Sequence, residues 1–272
     1  MNTQASNAGK IFIYTGNNET SGPVSKMLAE ELIAAGYQVT DDSDQADLIA
    51  CVGGDGTFLH FIQECNFPEC PILGVNTGHL GFFQELEPAD IPRFMTPLLA
   101  GDYQLQDISP VKATIYTGGT VKTHLGLNEV LIRGPYTHVT HFTVYIGDTK
   151  IQDFSGDGIL FSTPVGSTAY NYALGGAIIS PDLHALQMTP VAPSNTNAYR
   201  CFPSSIMYSD DHKVTIVPIR RTVSDPILLS YDGLDVIYDH IDKAEITKSN
   251  KSIRIIRFSK YDYWEKLTSK LL

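Results

Sequence analysis

Leu48-Ile49-Ala50-Cys51-Val52-Gly53-Gly54-Asp55-Gly56-Thr57 joins an apolar run to a glycine-dense turn with a single carboxylate at its centre. The run has the length and composition of a buried strand, and the turn opens a helix expected from Thr57 to about Gln63. Gly53, Gly54 and Gly56 free the main chain to take positive φ and approach a ligand, and the amides through Thr57 then point at anionic oxygens near the helix start. Asp55 is out of place among such donors, because a carboxylate repels phosphate; it suits taking a proton from a hydroxyl or holding it. The same residues also suit a plain strand-to-helix turn with Asp55 as the helix cap.

Working outward, Ile11 to Tyr14 forms an expected first strand. Val24, Met27, Leu28, Leu32 and Ala35 follow at helical spacing, with Pro23 near the start and Gly36 past the end. Tyr37 to Thr40 and Ile72 to Val75 add strands. Alternation of strands and helices predicts a parallel sheet with ligands beyond the carboxyl ends of its strands, where Asp55 lies. After Tyr103 the pattern turns to short alternating runs: Val111 to Tyr116, Val121 to Leu125, Val130 to Arg133, Phe142 to Ile146, Gly158 to Ser162 and Lys213 to Pro218. Helix is expected there only around Ala169 to Leu174. A strand, Ile253 to Phe258, and an amphipathic helix close the chain. That helix carries Trp264, Leu267 and Leu271 on one face and Lys266 and Lys270 near its end. The expected fold class is α/β: an N-terminal Rossmann-like parallel-sheet domain, residues 1–103 joined by the returning 252–272, and a β-rich C-terminal domain, residues 104–251.

Composition narrows the function classes. With 43% hydrophobic and 18% charged residues among 272, the chain has the balance of a globular protein with a real core. A formal net charge of −11 opposes binding to duplex nucleic acid. It does not oppose a nucleotide, since charges beyond about 8–10 Å are screened and local amides decide. No apolar run approaches the ~20 residues of a membrane span, and Met1 to Lys10 is polar, so no membrane partner and a cytoplasmic location are expected. Cys51, Cys65, Cys70 and Cys201 form no CxxC pair, which argues against a disulfide framework and a zinc site. His138 and His141, three apart in a strand, point to opposite faces, so no resident metal ligand is assigned. There is no GxxxxGK[ST] loop and no GxGxxG after the first strand.

Two further stretches carry chemistry. Gly156-Asp157-Gly158 leads through an apolar strand to Thr163-Pro164-Val165-Gly166-Ser167-Thr168-Ala169-Tyr170, where hydroxyls and amides suit a helix cap or a polar ligand edge. Tyr170 there suits stacking on a base, or burial beside a capped helix. Asn128-Glu129 places an amide and a carboxylate side by side between apolar residues; partners for them would come from a ribose or adenine edge, or from a local turn.

These motifs, with Asn76-Thr77-Gly78-His79-Leu80-Gly81-Phe82, Leu174-Gly175-Gly176 and Asp232-Gly233, occur in the order and approximate spacing of the NAD kinase family, and the chain resembles a compact bacterial member over nearly its whole length. GGDGT alone is shared with lipid kinases and phosphofructokinases; the combination is specific. The resemblance implies phosphorylation of the adenosine ribose 2′-hydroxyl of NAD, with ATP or polyphosphate and Mg²⁺, to give NADP, by a homotetramer. It makes Asp55 the base or hydroxyl-orienting group, with Gly56 beside the same ribose and Gly53, Gly54 and Thr57 in the same loop. It gives Asn128 and Glu129 to the adenosine, and Ser167, Thr168, Ala169, Tyr170, Asn171, Tyr172 and Ala173 to the adenine pocket, with Phe82 and Phe83 as an aromatic wall. Asp157 and Ala192 fall to the nicotinamide end, where relatives also use a neighbouring subunit, and Asp232 completes the binding set. His79 is a phosphate contact or a packing residue. Val165, Ser155 and Leu234 depart from the family pattern, Ser155 standing where an arginine is common. A lipid kinase of the same superfamily and a non-catalytic NAD(P) sensor are the alternatives; the acidic balance and Asn128-Glu129 disfavour the first, and Asp55 the second.

Overall fold

The computed structural model describes residues 9–78, 81–136, 138–197, 199–220 and 225–272. The chain divides into two units, Met1–Ile108 with Ser252–Leu272, and Ser109–Lys251.

The first unit begins with β1 (Lys10–Thr15), α1 (Ser21–Ala34), β2 (Gln38–Thr40), β3 (Leu48–Val52), α2 (Asp55–Glu64), β4 (Pro71–Val75), α3 (Ile91–Ala100) and β5 (Gln104–Ile108). β3 lies in parallel between β1 and β4 with every residue buried. A strand covered on both faces has no polar side, hence its unbroken apolar sequence. Leu28 and Leu32 of α1 share one core with Ile91, Met95 and Leu98 of α3 and with Ala50, Val52 and Leu73 of the sheet. Left-handed glycines, Gly36 (φ 99°) and Gly101 (φ 68°), follow the two helices. The sequence pattern did not predict α3 or β5. Pro92 and Pro97 mask the Ile91/Met95/Leu98 spacing, although a proline in the first turn removes only an amide without a helical partner.

The second unit contains β6 (Val111–Thr117), β7 (Thr120–Gly126), β8 (Glu129–Arg133), β9 (Thr140–Ile146), β10 (Thr149–Gly156), β11 (Gly158–Ser162), α4 (Tyr170–Ala173), β12 (Ala185–Val191), β13 (Ile206–Ser209), β14 (Val214–Pro218), β15 (Ile227–Tyr231), β16 (Leu234–Tyr238) and β17 (Lys243–Lys248). They form two six-stranded antiparallel sheets, ordered β10-β9-β14-β17-β6-β7 and β13-β12-β11-β8-β15-β16. The two sheets share one core, in which Val111, Ala113, Ile115, Phe142 and Phe154 of one meet Val130, Ile132, Ile159 and Phe161 of the other. Leu131, Leu160 and Val191 point to the opposite face of the second sheet and are covered by Leu174, which seats the segment around α4 there.

The chain returns to the first unit as β18 (Ile253–Arg257) and α5 (Tyr263–Leu271). β18 inserts in parallel beside β4 and antiparallel beside β5, giving β2-β1-β3-β4-β18-β5. The inward stripe of α5 differs from the expected one. Trp264 is 56% exposed, and the side chains that reach back into the unit are Tyr263, Lys266 and Lys270. Lys266 and Lys270, four apart, share a helix face.

Candidate active site

The glycine turn after β3 works by absence of side chains. None of Gly53, Gly54 and Gly56 has positive φ, contrary to the sequence expectation. A Cβ on Gly53 would instead lie 2.5 Å from Thr57, so the turn needs a bare backbone to fold under the start of α2. Gly54 is the N-cap residue and its carbonyl accepts the Phe58 amide at 3.0 Å. The amides of Asp55, Gly56 and Thr57 lie in the first helical turn, where no intrahelical acceptor exists; this is the donor set an anion takes.

Asp55 is not the cap of its own helix. Its carboxylate accepts the amides of Phe82 (3.0 Å to Oδ2) and Phe83 (3.1 Å to Oδ1), and Lys270 Nζ stands 2.5 Å from Oδ2. The two carboxylate oxygens are thus aimed by a backbone segment 27 residues downstream.

That segment is itself clamped. Arg257, at the end of β18, donates to Phe82 O (2.8 Å) and Phe83 O (3.3 Å) and pairs with Glu85 at 3.1 Å, both side chains 6% exposed. Glu85 also accepts the Phe258 amide at 2.9 Å, and Lys266 donates to the carbonyl of Gln84. Burial pushes the Lys266 ammonium down to about 8, with Arg257 repelling it further; burial pushes the Glu85 carboxyl up against the pull of Arg257. Phe83 stacks on Phe58 with centroids 4.8 Å apart, which places it in the core, while the Phe82 ring lies under Lys270 at 4.4 Å. Thr77, from the same stretch, is tied to the start of α1 through Thr20 and Ser21. His79 lies outside the described residues.

In the second unit the structure joins three of the sequence motifs. Asn128 sits in the bend between β7 and β8, and Glu129 opens β8. The Asp232 carboxylate, in a left-handed turn residue (φ 46°), accepts the amides of Leu127 (2.6 Å) and Asn128 (2.8 Å) and shapes that bend. A Cβ on Gly166 would fall 2.0 Å from Asn128 O, so the two loops lie backbone to backbone, and Thr163 Oγ1 donates to Leu127 O at 2.7 Å. Burial raises the Glu129 carboxyl to about 8, the Asp232 charge adding to the effect, and Glu129 Oε2 is buried without a hydrogen-bond partner among the described residues.

Not every expected ligand group is free to serve. Ser167 Oγ is used by Pro164 O and the Ile179 amide. The Asn171 amide is used by Ser167 O and Ala177 O within the loop and by Thr189 on β12. Tyr170 is 42% exposed, which removes the buried-tyrosine alternative, and Tyr172 and Ala173 are exposed beside it. Thr168 Oγ1 donates to Val165 O at 3.3 Å. Asp157 and Ala192 are neighbours: the Asp157 amide donates to Val191 O at 3.0 Å, and Gly156 would meet Ala192 O if it carried a Cβ. Ser155 is buried on β10, its carbonyl accepting the Ser194 amide at 2.7 Å. Sequence reasoning missed Arg257 and the inward turn of Lys266 and Lys270; only the i,i+4 spacing of the two lysines signalled a shared face.

A carboxylate held by a neighbouring segment beside helix-start amides, on a strand-turn-helix without a P-loop lysine, suits a phosphotransferase that acts on an alcohol. The ATP-NAD kinase N-terminal domain family matches residues 33–103, and the ATP-NAD kinase C-terminal domain family matches residues 127–258. An NAD kinase of Finegoldia magna is 35% identical over 271 residues, 98% of this chain and 99% of that one. Among solved structures, the yeast NADH kinase complexed with NADH superposes with a TM-score of 0.83 at 18% identity, over 97% of this chain and 87% of that one. An Archaeoglobus fulgidus NAD kinase in complex with ATP gives 0.75 at 20%, over 96% and 98%. The chain belongs to the NAD kinase family.

Proposed function

We propose that this protein transfers the terminal phosphoryl group of ATP to the 2′-hydroxyl of the adenosine ribose of NAD, giving NADP, with Asp55 receiving that hydroxyl. The observation that carries the reading is the seating of Asp55: both oxygens are fixed by Phe82 and Phe83 amides while its own helix leaves three amides for phosphate. Phosphoryl transfer needs little covalent help from the protein; alignment of the attacking oxygen and neutralisation of charge do most of the work. Asp55 orients the hydroxyl and accepts its proton as the bond to phosphorus forms. Gly53, Gly54, Gly56 and Thr57 hold the donor side, with Phe82 beside them. Asn128 and Glu129 bind the adenosine, and the backbone and exposed faces of Thr168 to Ala173 bind adenine. Asp157 and Ala192 serve the nicotinamide end. In this reading Ser167, Asn171 and Asp232 hold the loops that bind, because their side chains are already spent.

Mg²⁺ fits as a companion of the donor. Asp55 is engaged by three donors, which suits a cation carried mainly by substrate phosphates. Bound there, it supplies charge neutralisation. A cytoplasmic location is part of the same proposal; no helix among the described residues is long and apolar enough to cross a membrane. A homotetramer, the assembly that the family resemblance implies, is part of this reading and is weighed by light scattering. The activity is tested by a coupled assay for NADP formed from NAD, ATP and Mg²⁺. Asp55→Asn is expected to lower turnover ~10²- to 10⁴-fold with NAD binding kept; full turnover in that variant rejects the role.

A further inference from the structure

We propose that Lys270, on the last turn of α5, is a positioning residue for phosphoryl transfer, holding the Asp55 carboxylate in the one orientation that leaves a place for the substrate hydroxyl. The inference rests on the reading of Asp55 given above. Its ammonium lies 2.5 Å from Asp55 Oδ2, with Lys270 28% and Asp55 24% exposed. An ionised carboxylate offers about four acceptor sites. The Phe82 amide and Lys270 take those of Oδ2, and the Phe83 amide takes one of Oδ1. Among the described residues this leaves a single site on Oδ1, so the three donors together dictate where a hydroxyl can bind.

Lys270 is held to this task from two sides. Its ammonium sits 4.4 Å above the Phe82 ring, so the residue whose amide grips Asp55 also grips the lysine. One turn earlier, Lys266 donates to the carbonyl of Gln84, which pins α5 against the same backbone segment. A partly exposed ion pair adds little to stability, so fold stability alone gives little reason for the arrangement. Lys270 touches Asp55, not the reacting atoms, and acts through it.

The test uses the full-length protein and its Lys270→Met, Lys270→Arg and Asp55→Asn variants, with steady-state NADP formation at varied NAD and NAD affinity by calorimetry. Loss of alignment by a fraction of an ångström is expected to lower kcat of Lys270→Met ~10- to 100-fold, with KM and Kd for NAD changed less than about threefold, and Lys270→Arg recovering most of the rate. An unchanged kcat, a loss confined to KM, or no recovery with arginine overturns the proposal. Should Lys270→Met melt below assay temperature, Lys270→Gln is judged by the same criteria. An inactive Asp55→Asn beside a fully active Lys270→Met sinks Lys270 alone, whereas an active Asp55→Asn sinks the reading of Asp55.

Discussion

A Cβ on Gly81 would lie 2.4 Å from Oδ1 of Asp55, so the backbone of one and the carboxylate of the other occupy contiguous space that no larger residue can share. The same Cβ would also come within 2.9 Å of Gln84 Oε1, which closes the second route of relief.

Gly81→Ala is therefore expected to push the carboxylate off the Phe82 and Phe83 amides. Turnover should fall about 10²-fold, as for a displaced catalytic group, with circular dichroism and NAD affinity retained. A rate within threefold of the parent would mean that the contact has slack.

Most of the first unit was legible because a buried parallel strand, a helical repeat with Pro23 and Gly36 at its ends, and a glycine turn each follow from local chemistry. In the second unit six of the twelve strands were marked by alternation; β10, β12, β13, β15, β16 and β17 were not. The register of β12 and β17 depends on partners distant in sequence, such as Thr189 opposite Leu160, whereas β10 and β16 are hairpin partners of β9 and β15 across two-residue turns that the alternation left unmarked. In the site, Asp55 was visible as a carboxylate among glycines. What surrounds it was not: the Arg257 and Lys270 contacts span 175 and 215 residues, and nothing local records a contact of that range. Ser167 and Asn171 were overrated for the converse reason, as a hydroxyl or amide in a loop motif looks alike whether it faces a ligand or its own backbone.

Asp232 tests how far the Asn128-Glu129 bend depends on its cap. Asp232→Ala leaves the Leu127 and Asn128 amides without an acceptor and strains a residue with φ 46°, which small polar side chains tolerate better. Urea denaturation should show a loss of about 1–3 kcal/mol, and KM for NAD should rise more than kcat falls; Asp232→Asn should be milder on both counts. Equal effects of the two replacements would argue against the cap.

Glu129 predicts a pH dependence with a defined sign. Its folded-state carboxyl is raised to about 8 from an ordinary 4.5, so between those values the folded protein keeps a proton that the unfolded chain has released. Its contribution to stability is full below the unfolded value and is lost as pH rises through about 8. At ~1.4 kcal/mol per unit the loss is at most roughly 5 kcal/mol. Denaturant titrations at acidic, neutral and mildly alkaline pH should show this decline in the parent and a flatter profile in Glu129→Gln. A shared slope would assign the effect to other groups.

The placement of β18 between β4 and β5 orders assembly in time. During synthesis β5 emerges with no strand to pair with, and β4 presents an open edge, until the ribosome has passed Lys251 and released β18. The intervening unit is drawn from one uninterrupted stretch and can close its sandwich first. Nascent chains halted before β18 would therefore carry a finished second unit attached to a first-unit sheet that still lacks its fifth strand, together with the arginine and lysines around Asp55.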